Sequence, residues 1–300
     1  MPISTKTFNA QSLAGFHKIT GQIQEAQMRI ASGKKILRSS DSPIAATNIS
    51  AAKEQKVLLD RFSSNLDRAQ YRLALTDQTL GQAVTVMTRI FELSIQAVND
   101  TYSSADRQSI KAEIGELKKG MVELANKKDL TGQSLFAGYK VNSNAFEIDK
   151  DGVVQFVGDR GTHDVQVSES MRLQTGVDGA SAFMRVESDY GHDSAFEIIE
   201  LVENQILSGS LEEGTLDDIS KAIEHITRQQ TLIGAQLSKA DMQADALGQR
   251  KLLLNENISD LEDADIASIV TEMQSMITSR DAAQQAFVNI GRQSLFDFMR

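Results

Sequence analysis

Four carboxylates crowd one short stretch: Asp260, Glu262, Asp263 and Asp265. Oxygen donors at that density are what a hard cation such as Ca2+ takes. The same charges also sit well at the start of a helix, where backbone N–H groups are unpaired. The second reading is the one adopted. Asp149-Lys-Asp-Gly152 opens like a calcium loop but lacks the later ligands, so it reads as a turn. His163-Asp164 and His192-Asp193 are acid–base pairs in form. No nucleophile motif accompanies either, and His17 and His225 fall in helical stretches at separate ends. Asn48-Ile-Ser, Asn99-Asp-Thr and Asn257-Ile-Ser fit a glycosylation pattern but lie on or beside helices, and are read as chance matches. The chain has no Cys, which removes disulfides, thiolate metal sites and Cys nucleophiles. The expectation is therefore no catalytic residue, no metal, no cofactor and no enzyme.

The elements that carry these residues are mostly helical. Aromatics make up 5% of 300 residues, Trp is absent, and the only prolines are Pro2 and Pro43. Nothing beyond position 43 forces a helix to stop by the proline mechanism. Leu13, Phe16, Thr20, Ile23, Gln27 and Ile30 recur every three or four residues as a heptad seam. Ser32-Gly33 ends that pattern, and Ser42-Pro43 starts the next helix with a cap and a first-turn proline. A second seam runs through Leu59, Phe62, Leu66, Ala69, Leu73, Thr76, Leu80, Ala83, Met87 and Ile90. A helix from Pro43 to about Asn99 would be roughly 80 Å long at 1.5 Å per residue. Ser103-Ser-Ala-Asp106 is a capping box for a third helix, which Gly132 is expected to close.

Residues 136–190 change character. Ala145–Ile148 and Val153–Val157 flank the Asp149–Gly152 turn as a hairpin, Gly158-Asp-Arg-Gly161 is a further turn, and Val165-Gln-Val167 alternates as a strand. Helix then returns. Ser194–Ser208 is amphipathic, and Thr215-Leu-Asp-Asp218 reads as a capping box. Ile219, Ile223, Ile226, Gln230, Ile233, Leu237, Ala240, Ala244, Leu247, Lys251, Leu254, Ile258 and Leu261 alternate by fours and threes, with two polar members that can set register. The phase slips at Asp263-Ala-Asp265. Ile266, Ile269, Met273, Met276, Arg280, Ala283, Phe287 and Ile290 then form a new seam, followed by Leu295, Phe296 and Phe298.

The predicted fold is mainly α with a small β insertion, an elongated antiparallel helical bundle. Its N- and C-terminal helices pair as a coiled coil whose folding depends on assembly. The expected organisation is a terminal assembly domain of 1–42 and 262–300, a central helical rod of 43–135 and 193–261, and a β-rich outer domain of 136–192. One helix pair still has an outer apolar face, and leaving it wet is costly at about 25 cal/mol per Å². Leu13, Phe16, Ile23, Ile30, Ile266, Ile269, Met273, Met276, Phe287, Ile290, Leu295, Phe296 and Phe298 are therefore the expected assembly interface. A net charge of −10 argues against nucleic acid and anionic membrane as partners. The start MPISTKTFNAQSLAGF is not a secretory signal, and no window of about 20 apolar residues is long enough to span a bilayer.

Several segments carry a resemblance. Ser12-Leu-Ala-Gly-Phe16, Arg29-Ile-Ala-Ser-Gly-Lys-Lys-Ile-Leu37 and Ser40-Asp-Ser-Pro-Ile-Ala-Ala46 look like the N-terminal segment of the bacterial flagellin superfamily. Thr88–Ala97, Ser104–Ile110 and the C-terminal helix are similar to its remaining helices. Within it, Ser42-Pro43, Leu135-Phe-Ala-Gly-Tyr139, Val154–Gly161 and the ending Ser294-Leu-Phe-Asp-Phe298 resemble the branch that joins hook to filament. The resemblance implies a structural subunit exported without a cleaved signal peptide through the flagellar type III apparatus, and an extracellular place at the junction. It implies as partners a ring of its own copies, hook-associated protein 1, flagellin, and an export chaperone at the C-terminal helix. A filament subunit is the alternative, and a cytoplasmic signalling coiled coil a lower one. Arg89, Glu92, Leu93 and Gln96 align with the flagellin segment sensed by an innate receptor, with a departure at Ile90-Phe91; a structural helix surface is the reading adopted.

Overall fold

Glycine, proline and side-chain caps set the helix boundaries. A computed structural model describes residues 5–99, 101–150, 152–188, 191–212 and 214–298, with side chains except at 5–6, 188, 191–192 and 290–298. Helix α1 (Thr5–Ser32) ends at Gly33, whose φ of 69° lets its N–H reach the Arg29 carbonyl at 2.9 Å. Helix α2 (Pro43–Val98) starts on its proline and runs 56 residues. Helix α3 (Ser104–Ala125) opens with the expected capping box: Ser103 accepts from Asp106 N–H and Asp106 accepts from Ser103 N–H.

Two boundary expectations are corrected. Helix α3 stops at Ala125, well before Gly132, because the Asn126 side chain turns to β1. Its Oδ1 accepts from Ala145 N–H and Phe146 N–H, both at 2.9 Å, and its Nδ2 donates to the Phe146 carbonyl. Thr215 is not a cap. It is the first residue of α6 (Thr215–Glu262); the Gly214 carbonyl accepts from Asp218 N–H at 2.8 Å, and the Thr215 hydroxyl donates to Gln205.

Between α3 and α6 lie three separate antiparallel strand pairs. Strands β1 (Phe146–Ile148) and β2 (Val154–Phe156) flank the anticipated turn, with Phe146 opposite Phe156. Strands β3 (Asp164–Gln166) and β4 (Arg172–Gln174) form the second pair, β5 (Val186–Ser188) and β6 (Gly191–Asp193) the third. Helix α4 (Gly179–Phe183) and helix α5 (Ala195–Gln205), capped by Ser194 and Glu197, complete this region. Its core is aromatic: Phe146 sits 5.3 Å from Phe156, 5.8 Å from Phe183 and 5.2 Å from Phe196. Helix α7 (Ile266–Phe298) ends the chain, and Asp265 caps it by accepting from Ser268 N–H at 3.1 Å.

The chain forms two compact units, residues 1–58 with 249–300, and residues 59–248. In the second unit, all ten seam residues of α2 from Leu59 to Ile90 are 3% exposed or less. Facing them from α6, Ile219, Ile226, Ile233, Ala240 and Leu247 are buried every seventh residue. The polar seam member Gln230 lies over Gly81, its Nε2 3.2 Å from where a Cβ on Gly81 would stand. Gln70 donates to Asp241 at 2.7 Å in the same antiparallel register.

Candidate assembly surface

In the first unit α1 and α7 pack antiparallel. Phe8 stacks on Phe287 at 6.0 Å between ring centres, and Phe16 meets the same ring edge-on at 5.8 Å. At the other end the Ala264 N–H donates to the Gly33 carbonyl at 2.9 Å. Ile23 and Ala26 are buried; Phe8, Phe16, Ile19 and Ile30 are half-buried. From α7, Ile269, Met273, Met276, Arg280, Ala283 and Phe287 are half-buried. The inward stripe of α1 is thus Phe8, Ser12, Phe16, Ile19, Ile23, Ala26 and Ile30. It shares Phe16, Ile23 and Ile30 with the expected seam. Thr20 and Gln27 are exposed, and the neighbouring apolar residues Ile19 and Ala26 take their places, since a position one residue back lies on the other flank of the same stripe.

Leu13 is 52% exposed and Ile266 is 39% exposed. Met28, Val270 and Val288 add exposed apolar side chains on the same two helices. The last turns of α7 carry Ile290, Leu295, Phe296 and Phe298, whose side chains lie outside the described residues. The pair therefore buries one stripe and leaves the rest of its apolar surface open.

The acidic stretch is not one cluster. Asp265 is the helix cap. The Glu262 carboxylate accepts from Lys34 at 2.5 Å and from Lys53 at 2.7 Å. Those two hydrogen bonds, Lys34 first, hold its pKa below the usual carboxylate range, and the bond to Glu262 raises that of Lys34. Asp263 accepts from the Ser259 hydroxyl. Among the described residues, no group of three or more His, Asp or Glu gathers to hold a metal.

His163 and His225 each hold a backbone carbonyl. His163 Nε2 donates to the Gly138 carbonyl at 3.0 Å, and its ring stands edge-on to Tyr139. His225 Nε2 donates to the Ser181 carbonyl at 2.8 Å and is buried. The His192 side chain and Asp151 lie outside the described residues. In the receptor-like segment, Leu93 is buried and Arg89 is paired with Glu113 and Glu92.

Sequence reasoning did not find Arg72. It rises from α2 beside an open groove of about 720 Å³ that Tyr71, Leu130 and Val165 also line. Its guanidinium pairs with Asp129 at 3.0 Å and donates to the carbonyls of Ser134 at 2.9 Å and Leu135 at 3.3 Å. Arg72 thereby holds the start of the Leu135–Tyr139 segment. Nothing in its local sequence distinguishes it from the exposed Arg68 four residues earlier.

One unit holds a half-buried antiparallel helix pair, the other a long buried helical seam with β hairpins, and both are elements of a helical assembly subunit. The chain matches the bacterial flagellin N-terminal helical region over residues 3–141 and the bacterial flagellin C-terminal helical region over residues 216–299. It belongs to the flagellin family. Flagellar hook-associated protein 3 of Escherichia coli strain K12 is 23% identical over 321 aligned positions, spanning 100% of both chains. Flagellin of Listeria innocua is 23% identical over 282 positions, spanning 91% of this chain and 90% of that one. The crystal structure of flagellar hook-associated protein-3 from Legionella pneumophila shares the fold with a TM-score of 0.66 and 17% identity, covering 71% of this chain and 98% of that chain. No helix among the described residues is long and apolar enough to cross a membrane.

Proposed function

We propose that this chain is a structural subunit of the bacterial flagellum that joins hook to filament, a counterpart of hook-associated protein 3. The observation that carries the reading is the incomplete burial of α1 and α7, beside a relative of that name matched end to end. A helix pair with Leu13, Met28, Ile266, Val270 and Val288 in water gains by packing against further helices. The partners proposed are copies of this chain, hook-associated protein 1 on one side and flagellin on the other. Residues 1–42 and 262–300 are the proposed assembly domain. Export through the flagellar apparatus, with a chaperone on the C-terminal helix, and an extracellular final position go with this reading.

Deleting the gene should leave cells with hooks but no filaments, and flagellin in the medium. Normal filaments in the mutant would sink the proposal. The match to Listeria flagellin supports a second reading, the filament subunit itself. Seeded polymerisation separates them: a filament subunit extends into long filaments, a junction subunit does not. Limited proteolysis of the monomer should trim the ends first and spare a middle of about residues 50–260, because a half-buried pair opens at lower cost than the core.

A further inference from the structure

Two interruptions of the helical framework fall side by side in the first unit. α1 stops at Ser32 and α6 stops at Glu262. The segments that follow run antiparallel for a few residues. Lys35 N–H donates to the Glu262 carbonyl at 2.7 Å, Ala264 N–H donates to the Gly33 carbonyl, and Lys34 and Asp263 are bridge partners. Over this bridge sits one carboxylate with both oxygens engaged. Glu262 Oε1 takes Lys34 from the α1–α2 loop, and Oε2 takes Lys53 from α2. The Glu262 side chain is 11% exposed, whereas each lysine is 49% exposed, so the acid is the fixed centre and the lysines close over it. One side chain thus ties the end of α6 to the α1–α2 loop and to the first turns of α2.

We propose that the paired break is a hinge between the α1–α7 pair and the adjoining ends of α2 and α6, and that Glu262 is the electrostatic latch that holds it shut. A continuous helix resists bending because each turn is bonded to the next. A break concentrates any change of angle in the few residues whose backbone is not so bonded. Here both strands of an antiparallel arrangement are broken at one level, so the pair can swing without unwinding either helix. The latch has an asymmetric balance of charge, two cations on one anion. Removing the anion does more than delete an attraction: it leaves Lys34 and Lys53 facing each other, and repulsion then works to open the bridge. Asp263, beside Lys34, is the remaining nearby anion, and its carboxylate is committed to the Ser259 hydroxyl. The hinge lies wholly within this chain, so its test is separate from that of the proposed function.

The test is amide hydrogen exchange on the full-length chain. In Glu262→Gln, exchange at Lys35 and Ala264, the two amides of the bridge, should rise about ten-fold, as loss of a charge-assisted contact worth about 1.4 kcal/mol would give. Amides at Leu73 and Leu80 on α2 should not change. A mirrored triad, Lys34→Glu with Lys53→Glu and Glu262→Lys, should restore protection. Because the chain has no Cys, spin labels placed through Gln24→Cys and Lys56→Cys report the angle between α1 and α2 without background. Their distance distribution should be narrow with Glu262 and broad in Glu262→Gln. Unchanged exchange at Lys35 and Ala264, an equal rise at Leu73 and Leu80, or failure of the mirrored triad to restore protection would each overturn the latch.

Discussion

Replacing Arg72 by Met should cost about 2–3 kcal/mol of stability, and the structure says where that cost arises. The Arg72 and Asp129 side chains are only 12% and 11% exposed. Breaking a buried ion pair from one side costs about 3–5 kcal/mol, because the partner is left charged and dry. Here the partner is not stranded. Asp129 keeps the Thr131 hydroxyl at 2.6 Å, the Thr131 N–H at 2.8 Å and the Gln133 N–H at 3.0 Å. The loss falls instead on the carbonyls of Ser134 and Leu135, so the cost drops to the low end of that range or just below it, about 2–3 kcal/mol. Met keeps the packing of the aliphatic stem. Urea unfolding of Arg72→Met, Asp129→Asn and the double variant measures the pair directly, with an expected coupling of about 1–2 kcal/mol. The pH dependence is a second arm. Burial pushes the Asp129 carboxyl up, but the Thr131 hydroxyl, the amides of Gln133 and Thr131, and Arg72 outweigh it, and the net shift is downward. A folded-state pKa below the unfolded one gives stability that is present above the unfolded value, about 3.9, and lost as pH falls through the folded one. Arg72→Met should therefore lose less stability on acidification through that window than the parent. A cost under about 1 kcal/mol, or single effects that add to within about 0.5 kcal/mol, would refute the role assigned to the guanidinium.

Four further outcomes follow from the packing. Phe146→Ala removes a buried ring that touches three others and should cost about 3–5 kcal/mol in urea unfolding, with the α1–α7 pair unaffected. Gly138→Ala should cost more than about 2 kcal/mol: its φ is 66° and an added Cβ would fall 2.3 Å from the Asp159 carbonyl oxygen. Gly120→Ala on α3, where nothing lies within 4 Å, should instead raise stability by about 0.5–1 kcal/mol, and thermal melts of the two variants should shift in opposite directions. Phe287→Ala takes away the ring shared by Phe8 and Phe16, so proteolysis of the α1 segment should quicken several-fold while the transition of residues 59–248 stays in place.

The long helices were legible because they repeat one simple demand many times. Ten α2 positions spaced by threes and fours gave the buried face without error, and Pro43 and Gly33 gave two of the ends. The β region was legible only where a turn advertised itself, at Asp149–Gly152. Strands β4, β5 and β6 and helix α4 were not seen, since strands of three residues are too short to show alternation and a five-residue helix too short to show a stripe. The end of α3 was missed for another reason. Asn126 stops it by bonding to Phe146, a residue twenty positions on, and no local rule contains that partner. Arg72 fails in the same way: its partners, Asp129, Ser134 and Leu135, are distant in sequence, so the residue that fixes the Leu135–Tyr139 segment is invisible until the chain is folded. Glu262 was seen as a carboxylate and read only as part of a charged run, because its lysines lie more than two hundred residues away.

The contrast between α2 and α1 carries the functional argument. Both have apolar stripes of similar period, yet the α2 seam from Leu59 to Ile90 is closed, while among the described side chains of α1 only Ile23 and Ala26 are buried. The difference lies in the number of neighbours, not in the residues. α2 meets α6 through Gln70 and Asp241, α3 through Arg89 and Glu113, and the segment after α3 through Arg72, so it has several neighbours along its length. Among the described residues α1 packs chiefly on α7, and two cylinders in contact cover each other along a line, leaving both flanks of each stripe in water. Phe8, Phe16, Ile19 and Ile30 stay half-exposed for that geometric reason. No rearrangement of a single pair improves the coverage; only added helices do. A layer of such pairs, each filling the flanks of the next, covers them all, which is why half-burial at the two ends of one chain supports a subunit built to stand among others.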